Sequence, residues 1–200
     1  MIAYNAGSAL LVVDVQNDFA DPAGTLSVRG GDALIPRVNE EIRAALDAGA
    51  SVIYTQDWHP PSTPHFAKDG GIWPVHCVAG TWGAQLHPDL LVAGPLVRKG
   101  VGGEDGYSGF AVRDPESGET QETELESLLR ARGAERVVIA GLATDYCVKA
   151  TALDGIRLGF AVSVLTDAIA AVDLEPGDAE RAADEMTRAG AVLVGPGAGP

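Results

Sequence analysis

The side chains best suited to chemistry begin with an aspartate and a histidine in TQDWHP (55–60) and a further histidine in WPVHC (73–77). Asp57 and His59 directly follow the apolar run SVIYT, which predicts a buried strand, so both would emerge where that strand opens into a loop. Imidazole nitrogens and a carboxylate oxygen that converge there are typical ligands of a divalent transition metal. With His65, three of the four histidines of the chain lie in this stretch. Because D-x-H is a short pattern, a solvated loop whose histidines share no role is the alternative.

Three further reactive side chains fall at the ends of apolar runs. Asp14 ends ALLVVD, Lys99 ends PLVRK, and Cys147 follows RVVIAGL. If they meet, they form an activated nucleophile, because the carboxylate can take the thiol proton and pass it to a leaving amine. The ammonium would hold both partners in their charged states. Taken singly, Asp14 could instead cap a turn and Lys99 could be a solvated charge.

The two cysteines have different surroundings. Cys147 lies near the start of a predicted helix with Thr144 as its N-cap, where the positive end of the helix dipole would lower the pKa of the thiol and favour the thiolate. Cys77 lies between apolar Val75 and Val78, away from any helix start, which indicates a buried structural cysteine. A structural role is the alternative for Cys147 as well.

Composition restricts the class of protein. Two hundred residues, 46% of them hydrophobic, suit one globular domain with a single sizeable core. A formal net charge of −14 argues against partners such as nucleic acid or an anionic membrane surface. No apolar stretch approaches the roughly 20 residues needed to span a bilayer. Without a signal peptide ahead of them, the cysteines are expected to be thiols in a cytoplasmic protein.

Apolar runs alternate with helical periodicity along almost the whole chain. Between the second and third runs lies a long loop rich in Pro, Gly and His, and the acidic run around 116–126 is interpreted as a solvated helix start. The predicted helices are 31–48, 123–132, 144–159 and 176–188. The predicted strands are 9–14, 51–55, 95–99, 136–142, 160–167 and 191–194.

Uninterrupted apolar strands separated by helices indicate a parallel sheet covered on both faces. The predicted fold is therefore α/β: three-layer α/β/α with a six-stranded, mainly parallel, doubly wound sheet. No composition shift marks a boundary, so we expect a single domain over 1–195 and a frayed tail at 196–200. In such sheets the ligand lies beyond the carboxyl ends of the strands, which is where all the candidate residues above fall.

Six stretches match a known family in the same order, from the first predicted strand to the helix predicted at 144–159. They are LLVVDVQNDF (10–19), TQDWHP (55–60), WPVHCVAGTWGAQLHP (73–88), RKG (98–100), GYSGF (106–110) and GLATDYCV (141–148). On these motifs the chain resembles the isochorismatase-like cysteine hydrolases, and among them it is most similar to the nicotinamidases.

The resemblance implies a catalytic triad of Asp14, Lys99 and Cys147. It also implies a cis peptide between Leu142 and Ala143, with the backbone N–H groups of Ala143 and Cys147 forming an oxyanion hole.

The resemblance further implies one divalent transition metal ion bound by Asp57, His59 and His76, with waters completing the shell. At His65, beside Phe66, relatives carry a variable ligand: Ser, Glu or His. Here the histidine either binds the metal directly or only lines the pocket. Zinc is the expected ion, and iron and manganese also accept this ligand set.

The substrate-binding residues implied by the resemblance are Phe19, Trp73 and Tyr107. All three are aromatic, which suits a flat ring held over the thiol. Trp82 and the acidic insert at 104–105 are less standard, and they leave the choice of substrate open.

The function predicted from the sequence is a metal-dependent cysteine amidohydrolase that converts nicotinamide, a small aromatic amide, to nicotinic acid and ammonia through a thioester. One alternative is a sibling amidase acting on another amide, carbamoyl or lactam substrate. The other is a catalytically silent metal-binding module on the same fold. An isochorismatase proper is disfavoured, since that reaction uses neither the thiol nor the metal. The oligomeric state stays open, because an acidic surface does not prevent a homo-oligomer.

Overall fold

Residues 2–195, the part of the chain described by the computed structural model, contain eight strands and five α-helices. The predicted tail at 196–200 lies outside these residues. The strands are β1 (Ser8–Val13), β2 (Ser51–Asp57), β3 (Leu96–Lys99), β4 (Ala111–Arg113), β5 (Thr120–Glu122), β6 (Arg136–Leu142), β7 (Ala161–Ala170) and β8 (Val192–Val194). The helices are α1 (Asn17–Ala20), α2 (Ile35–Asp47), α3 (Leu125–Ala131), α4 (Lys149–Arg157) and α5 (Asp178–Ala189).

Six strands form one sheet in the order β3-β2-β1-β6-β7-β8. Every neighbouring pair is parallel, so the sheet is entirely rather than mainly parallel. From β1 the chain moves outward to β3, then returns to place β6 on the other side of β1 and continues to β8. The predicted three-layer, doubly wound α/β/α fold is confirmed.

Both faces of the sheet are buried at its centre, which explains why β1 and β6 carry long runs of consecutive apolar residues. Leu10 and Val12 of β1 face one core cluster, whereas Leu11 and Val13 face the other. Helix α2 covers the first cluster, and α3, α4 and α5 cover the second. Within residues 2–195, no helix combines the length and apolar character needed to cross a membrane.

The predicted elements are present with shifts at their ends. Strand β2 continues through Asp57 instead of ending at 55, and β7 continues to Ala170 instead of 167. Helix α2 begins at Ile35 rather than 31, with a proline in its first turn, where the missing N–H costs no hydrogen bond.

The acidic run around 116–126 is not simply a helix start, and that interpretation was wrong. Its first half forms the turn and second strand of an antiparallel hairpin, β4–β5, and α3 begins only at Leu125. The carboxylate of Asp114 accepts the backbone N–H groups of Glu116 and Ser117, which closes the turn. Asp and Ser side chains form such local hydrogen bonds to the backbone in place of helical structure. The spacing of apolar residues does not reveal these bonds.

The backbones of β6 and the end of β1 approach so closely at Gly141 that a larger residue there should lower the stability of the protein. Gly141 of β6 has φ 116°, and a Cβ there would lie 2.1 Å from the carbonyl oxygen of Val13. Gly159 also has positive φ, 86°, but nothing lies within 4 Å of its Cβ position. We expect Gly159→Ala to lower the free energy of unfolding by about 1–2 kcal/mol and Gly141→Ala to lower it by about 1–3 kcal/mol more. Urea denaturation followed by circular dichroism measures both, and equal losses would contradict the steric argument.

Candidate active site

The carboxyl edge of the sheet brings together the reactive residues predicted from the sequence. Asp14 directly follows β1 with a positive φ of 50°, Asp57 ends β2, and Lys99 ends β3. Cys147 lies in a π-helical turn, Thr144–Val148, that follows β6. The neighbouring order of these four strands explains why residues so distant in sequence meet.

Lys99 is the centre of the site. Its Nζ lies 2.7 Å from Asp14 Oδ2, 2.6 Å from Asp57 Oδ1 and 3.5 Å from Cys147 Sγ, and it also donates to the carbonyl of Gly106. All four side chains are buried. A buried ammonium is tolerated here because it has anionic and carbonyl partners on several sides.

The shared ammonium affects the two carboxyl groups differently. Burial raises the pKa of Asp14, opposed by Lys99 and reinforced by the charge of Asp57. Burial would raise the pKa of Asp57 too, but Lys99 and then His59 hold it well below its usual range. Burial would also lower the pKa of Lys99, yet the two carboxylates hold that pKa well above its usual range. Carboxyl groups whose pKa values are pushed apart suit different tasks, Asp14 to carry a proton and Asp57 to stay ionised.

The surroundings of Cys147 differ from the expectation in two ways. Thr144 is not an N-cap: Ala143 holds that position in extended conformation, no side chain caps the turn, and Thr144 begins the π-helical turn. The pKa of the Cys147 thiol is raised, not lowered, because burial outweighs the Lys99 ammonium and the carboxylate of Asp14 adds to the rise. A thiol that holds its proton more tightly needs a nearby base to accept that proton before the sulfur can attack.

Side chains on β2 and after β1 fix the two carboxylates. The hydroxyl of Thr55 donates to Asp14 Oδ1 at 2.6 Å. The side-chain amide of Gln16 donates to the backbone carbonyl of Asp57 at 2.8 Å and accepts the Asp57 N–H at 2.8 Å. Gln16 thus pairs with the end of β2 as a neighbouring strand would.

Three histidines converge beside Asp57. One ring nitrogen each from His59, His65 and His76 lies within 4.8 Å of the others. Asp57 Oδ2 lies 3.7 Å from Nε2 of His59 and 4.0 Å from Nε2 of His76. The structure therefore brings all four predicted metal-binding residues together, His65 included.

The hydrogen bonds of the cluster test whether its donors fit a metal ion. Nδ1 of His76 donates to the carbonyl of Pro74 at 2.7 Å, and Nδ1 of His65 donates to Asp105 Oδ1 at 2.6 Å, which leaves Nε2 of each ring free. Among residues 2–195, neither ring nitrogen of the fully buried His59 has a hydrogen-bond partner. Two imidazoles whose Nδ1 is held in this way, a third whose nitrogens are both unpartnered, and the Asp57 carboxylate form a donor set that fits a divalent transition metal.

Burial favours the neutral form of His65 and His76, the form that metal ligation requires. It lowers the pKa of His76 to about 4 and also lowers the pKa of His65, against the raising effect of Asp105.

Cys77 supports the histidine that precedes it. As predicted, its side chain is buried, and burial raises the pKa of its thiol. Its backbone has a positive φ of 46°, and its N–H donates to Asp18 Oδ2 at 2.7 Å. A Cβ at Gly83 would lie 2.0 Å from this carboxylate, so glycine is required for the loop to close on Asp18. The hydrogen bond from Cys77 to Asp18 therefore helps to place the neighbouring His76, and Cys77 has a structural role.

A cavity opens above Cys147, His65 and His76. Its wall contains the predicted aromatic residues Phe19, Trp73 and Tyr107, and Ala143 lies beside the thiol. Trp73 Nε1 donates to the Tyr107 hydroxyl at 2.8 Å, which orients both rings. The Leu142–Ala143 peptide is cis, as the resemblance implied.

Sequence reasoning missed part of the wall. Leu26, Tyr146 and Val172 also line the cavity. The Tyr146 ring meets Trp73 edge-on, with centroids 4.7 Å apart, and its position next to Cys147 was the available signal. Leu26 and Val172 lie in loops with no distinguishing pattern. By contrast, Trp82 is half-exposed and does not line the cavity.

Comparison with known proteins gives a consistent family. The family model "Isochorismatase domain" matches residues 8–195. The nicotinamidase of Escherichia coli (strain K12) is 39% identical, over 92% of this chain and 93% of the relative. The solved pyrazinamidase of Pyrococcus horikoshii in complex with zinc is 42% identical with a TM-score of 0.84, covering 94% of this chain and 99% of that one. An L. infantum protein solved in complex with nicotinate is 37% identical with a TM-score of 0.86, covering 97% of this chain and 96% of that one.

The fold, the thiol-bearing cavity and these similarities define a hydrolase that acts on carbon–nitrogen amide bonds. Since the family model matches nearly all of the described residues, the chain belongs to the isochorismatase family.

The different settings of the two thiols predict selective labelling. Iodoacetamide should add once, at Cys147, which lines the cavity, and not at fully buried Cys77. Because the pKa of Cys147 is raised, the labelling rate should still be rising above pH of about 8.5, where an ordinary thiol is half ionised. Mass spectrometry of wild type, Cys77→Ala and Cys147→Ala measures the adducts, and modification of Cys77 would overturn the assignment.

The contacts of Lys99 predict non-additive kinetics. Asp14→Asn and Lys99→Met should each lower kcat by about 10³-fold or more, and the double variant should be little slower than the worse single one, since groups that act as a unit fail together. Arg98→Met is the matched control, because Arg98 stacks on Trp58 at 3.9 Å, away from the thiol. Circular dichroism verifies folding, and additive losses would argue against one proton-transfer unit.

Proposed function

We propose that this hydrolase is a metal-dependent cysteine amidohydrolase that converts nicotinamide to nicotinic acid and ammonia. The observation that carries the proposal is that one aromatic cavity is lined both by Cys147 and by Asp57, His65 and His76 of the histidine–aspartate cluster. A flat aromatic ring that carries a carboxamide on one side and a ring nitrogen on the other can place the carboxamide at the thiol and the nitrogen at the cluster in the same pose. The three aromatic residues of the wall suit such a ring.

The proposed reaction begins with attack of Cys147 Sγ on the carboxamide carbon. Asp14 takes the thiol proton as the carbon–sulfur bond forms, while the Lys99 ammonium, 2.7 Å from Asp14, stabilises the charges that develop. The backbone N–H groups of Ala143 and Cys147 would hold the oxyanion, and one such donor can contribute about 10²–10³-fold in rate. The carbon–nitrogen bond then breaks, and Asp14 gives its proton to the departing ammonia.

The second half of the proposed reaction releases the acid. Asp14, again a carboxylate, accepts a proton from water as the water oxygen attacks the thioester carbon. The carbon–sulfur bond breaks, the proton returns to Cys147 and nicotinic acid leaves. The raised pKa of Asp14 suits a group that must accept and donate a proton in each cycle.

Asp57, His59, His65 and His76 would hold the metal ion, with zinc proposed and iron or manganese compatible. When bound, the ion would supply an electrophilic anchor for the ring nitrogen, directly or through a water. The rings of Trp73 and Phe19 would then orient the carboxamide toward the thiol.

The relatives support the choice of substrate. The E. coli relative is a nicotinamidase, and the L. infantum structure contains nicotinate, the acid that the proposed reaction would release. The zinc in the P. horikoshii pyrazinamidase supports the choice of metal.

Release of ammonia tests the proposal. Nicotinamide should be hydrolysed with a kcat/KM about 10²-fold or more above that of benzamide, which has the same carboxamide but no ring nitrogen to bind. Chelation of the metal should lower the nicotinamide rate about tenfold or more, and Zn²⁺ should restore it. Cys147→Ala is the control for chemistry at the thiol. Faster turnover of a carbamoyl compound or a lactam than of nicotinamide would instead identify a sibling amidase.

A further inference from the structure

Among partners within residues 2–195, only His65 of the three clustered imidazoles is hydrogen-bonded to an anionic side chain. Its Nδ1 lies 2.6 Å from Asp105 Oδ1, and the His65 side chain is 5% exposed and that of Asp105 19% exposed. His76 has a neutral backbone carbonyl as its partner. Asp105 belongs to the acidic insert at 104–105, to which the chemistry proposed above assigns no task.

The backbone of Asp105 is fixed from outside the main sheet. Its N–H donates to the carbonyl of Arg113 at 2.7 Å, and its carbonyl accepts the Arg113 N–H at 3.0 Å. Arg113 belongs to β4, so the hairpin β4–β5 holds Asp105 in an extra antiparallel bridge.

The segment before Asp105 also contacts the loop that carries His65. The hydroxyl of Thr63 donates to the carbonyl of Gly103 at 2.5 Å and accepts the backbone N–H of His65 at 3.2 Å. The segment 103–105 therefore holds the backbone of His65 through Thr63 and the ring of His65 through Asp105.

This geometry has a defined chemical effect. An imidazole whose Nδ1–H is donated to a carboxylate keeps one tautomer, so the lone pair of Nε2 stays available. The bond also fixes rotation of the ring, and its anionic acceptor is stronger than a neutral carbonyl. The ring of His65 stacks on that of His59 at a centroid distance of 4.8 Å, so its orientation matters to the whole cluster.

We propose that Asp105 is a positioning residue that makes His65 a metal ligand, and that the β4–β5 hairpin is the support that holds Asp105 in place. This inference rests on the metal site of the proposed function. It assigns a task to the acidic insert and connects a solvated hairpin to the metal-binding cluster.

The test compares matched variants for metal affinity, independently of turnover. Asp105→Asn keeps the size of the side chain and a carbonyl acceptor but removes the negative charge. Glu104→Gln is the control, because it removes the same charge one residue away, where the carboxylate only accepts the N–H of Gly102. Metal-free protein is titrated with Zn²⁺ against a chromophoric chelator, and the same series is made with His65→Ala. Thermal unfolding of the metal-free proteins verifies that each variant is folded.

We expect Asp105→Asn to weaken Zn²⁺ binding by about 10–100-fold and Glu104→Gln to change it less than about twofold. In the His65→Ala background, Asp105→Asn should add less than about twofold, because Asp105 acts through that ring. KM for nicotinamide should rise more than kcat falls.

Three results would count against the inference. Zn²⁺ binding unchanged by Asp105→Asn, with weaker binding in His65→Ala, would overturn the role of Asp105 and leave the metal site standing. An undiminished effect of Asp105→Asn in the His65→Ala background would overturn the route through His65. Failure of the wild-type protein to bind any transition metal would remove the metal-dependent function and this inference with it.

Discussion

One buried ammonium shared between two carboxylates organises the whole site. Lys99 contacts Asp14 on one side and Asp57 on the other, and the thiol of Cys147 lies within 3.5 Å. Burying three ionisable groups without mutual compensation would be strongly unfavourable, so each holds the others in place. Asp57 uses one oxygen for Lys99 and turns the other toward the histidines. The Cys147 thiol and the histidine–aspartate cluster are therefore two parts of a single charge network.

The topology of the sheet makes this network possible. Asp57 and Lys99 are direct register partners at the ends of β2 and β3, so their side chains start from adjacent positions. β1 lies between β2 and β6, which brings Asp14 beside both the carboxylate of Asp57 and the turn that carries Cys147. The hydrophobic strands thus do more than form a core, since their register sets the distances between the charges.

Much of the fold and of the site was predictable from the sequence, and the same physical reasons explain what was not predictable. Continuous apolar runs identify parallel strands, and polar residues at their ends must meet at one edge, so the gathering of Asp14, Lys99 and Cys147 followed from pattern alone. The raised pKa of Cys147 did not follow from the pattern, because this pKa depends on burial and on the distance to Asp14 rather than on local helix position. The hairpin was missed since its three-residue strands carry no apolar alternation. Without the hairpin, the bond from Asp105 to His65 was invisible as well.

Lys99 reaches its partners only across long stretches of chain. It lies 42 residues from Asp57 and 48 residues from Cys147. Contacts of such high sequence separation form late in folding, because the entropy of closing the intervening chain is lost before they stabilise anything. Because Cys147 follows β6, its thiol can meet Lys99 only after β6 has joined β1. The sheet edge is therefore completed only when β6 pairs with β1, and a partly folded chain has the residues of the site without their arrangement.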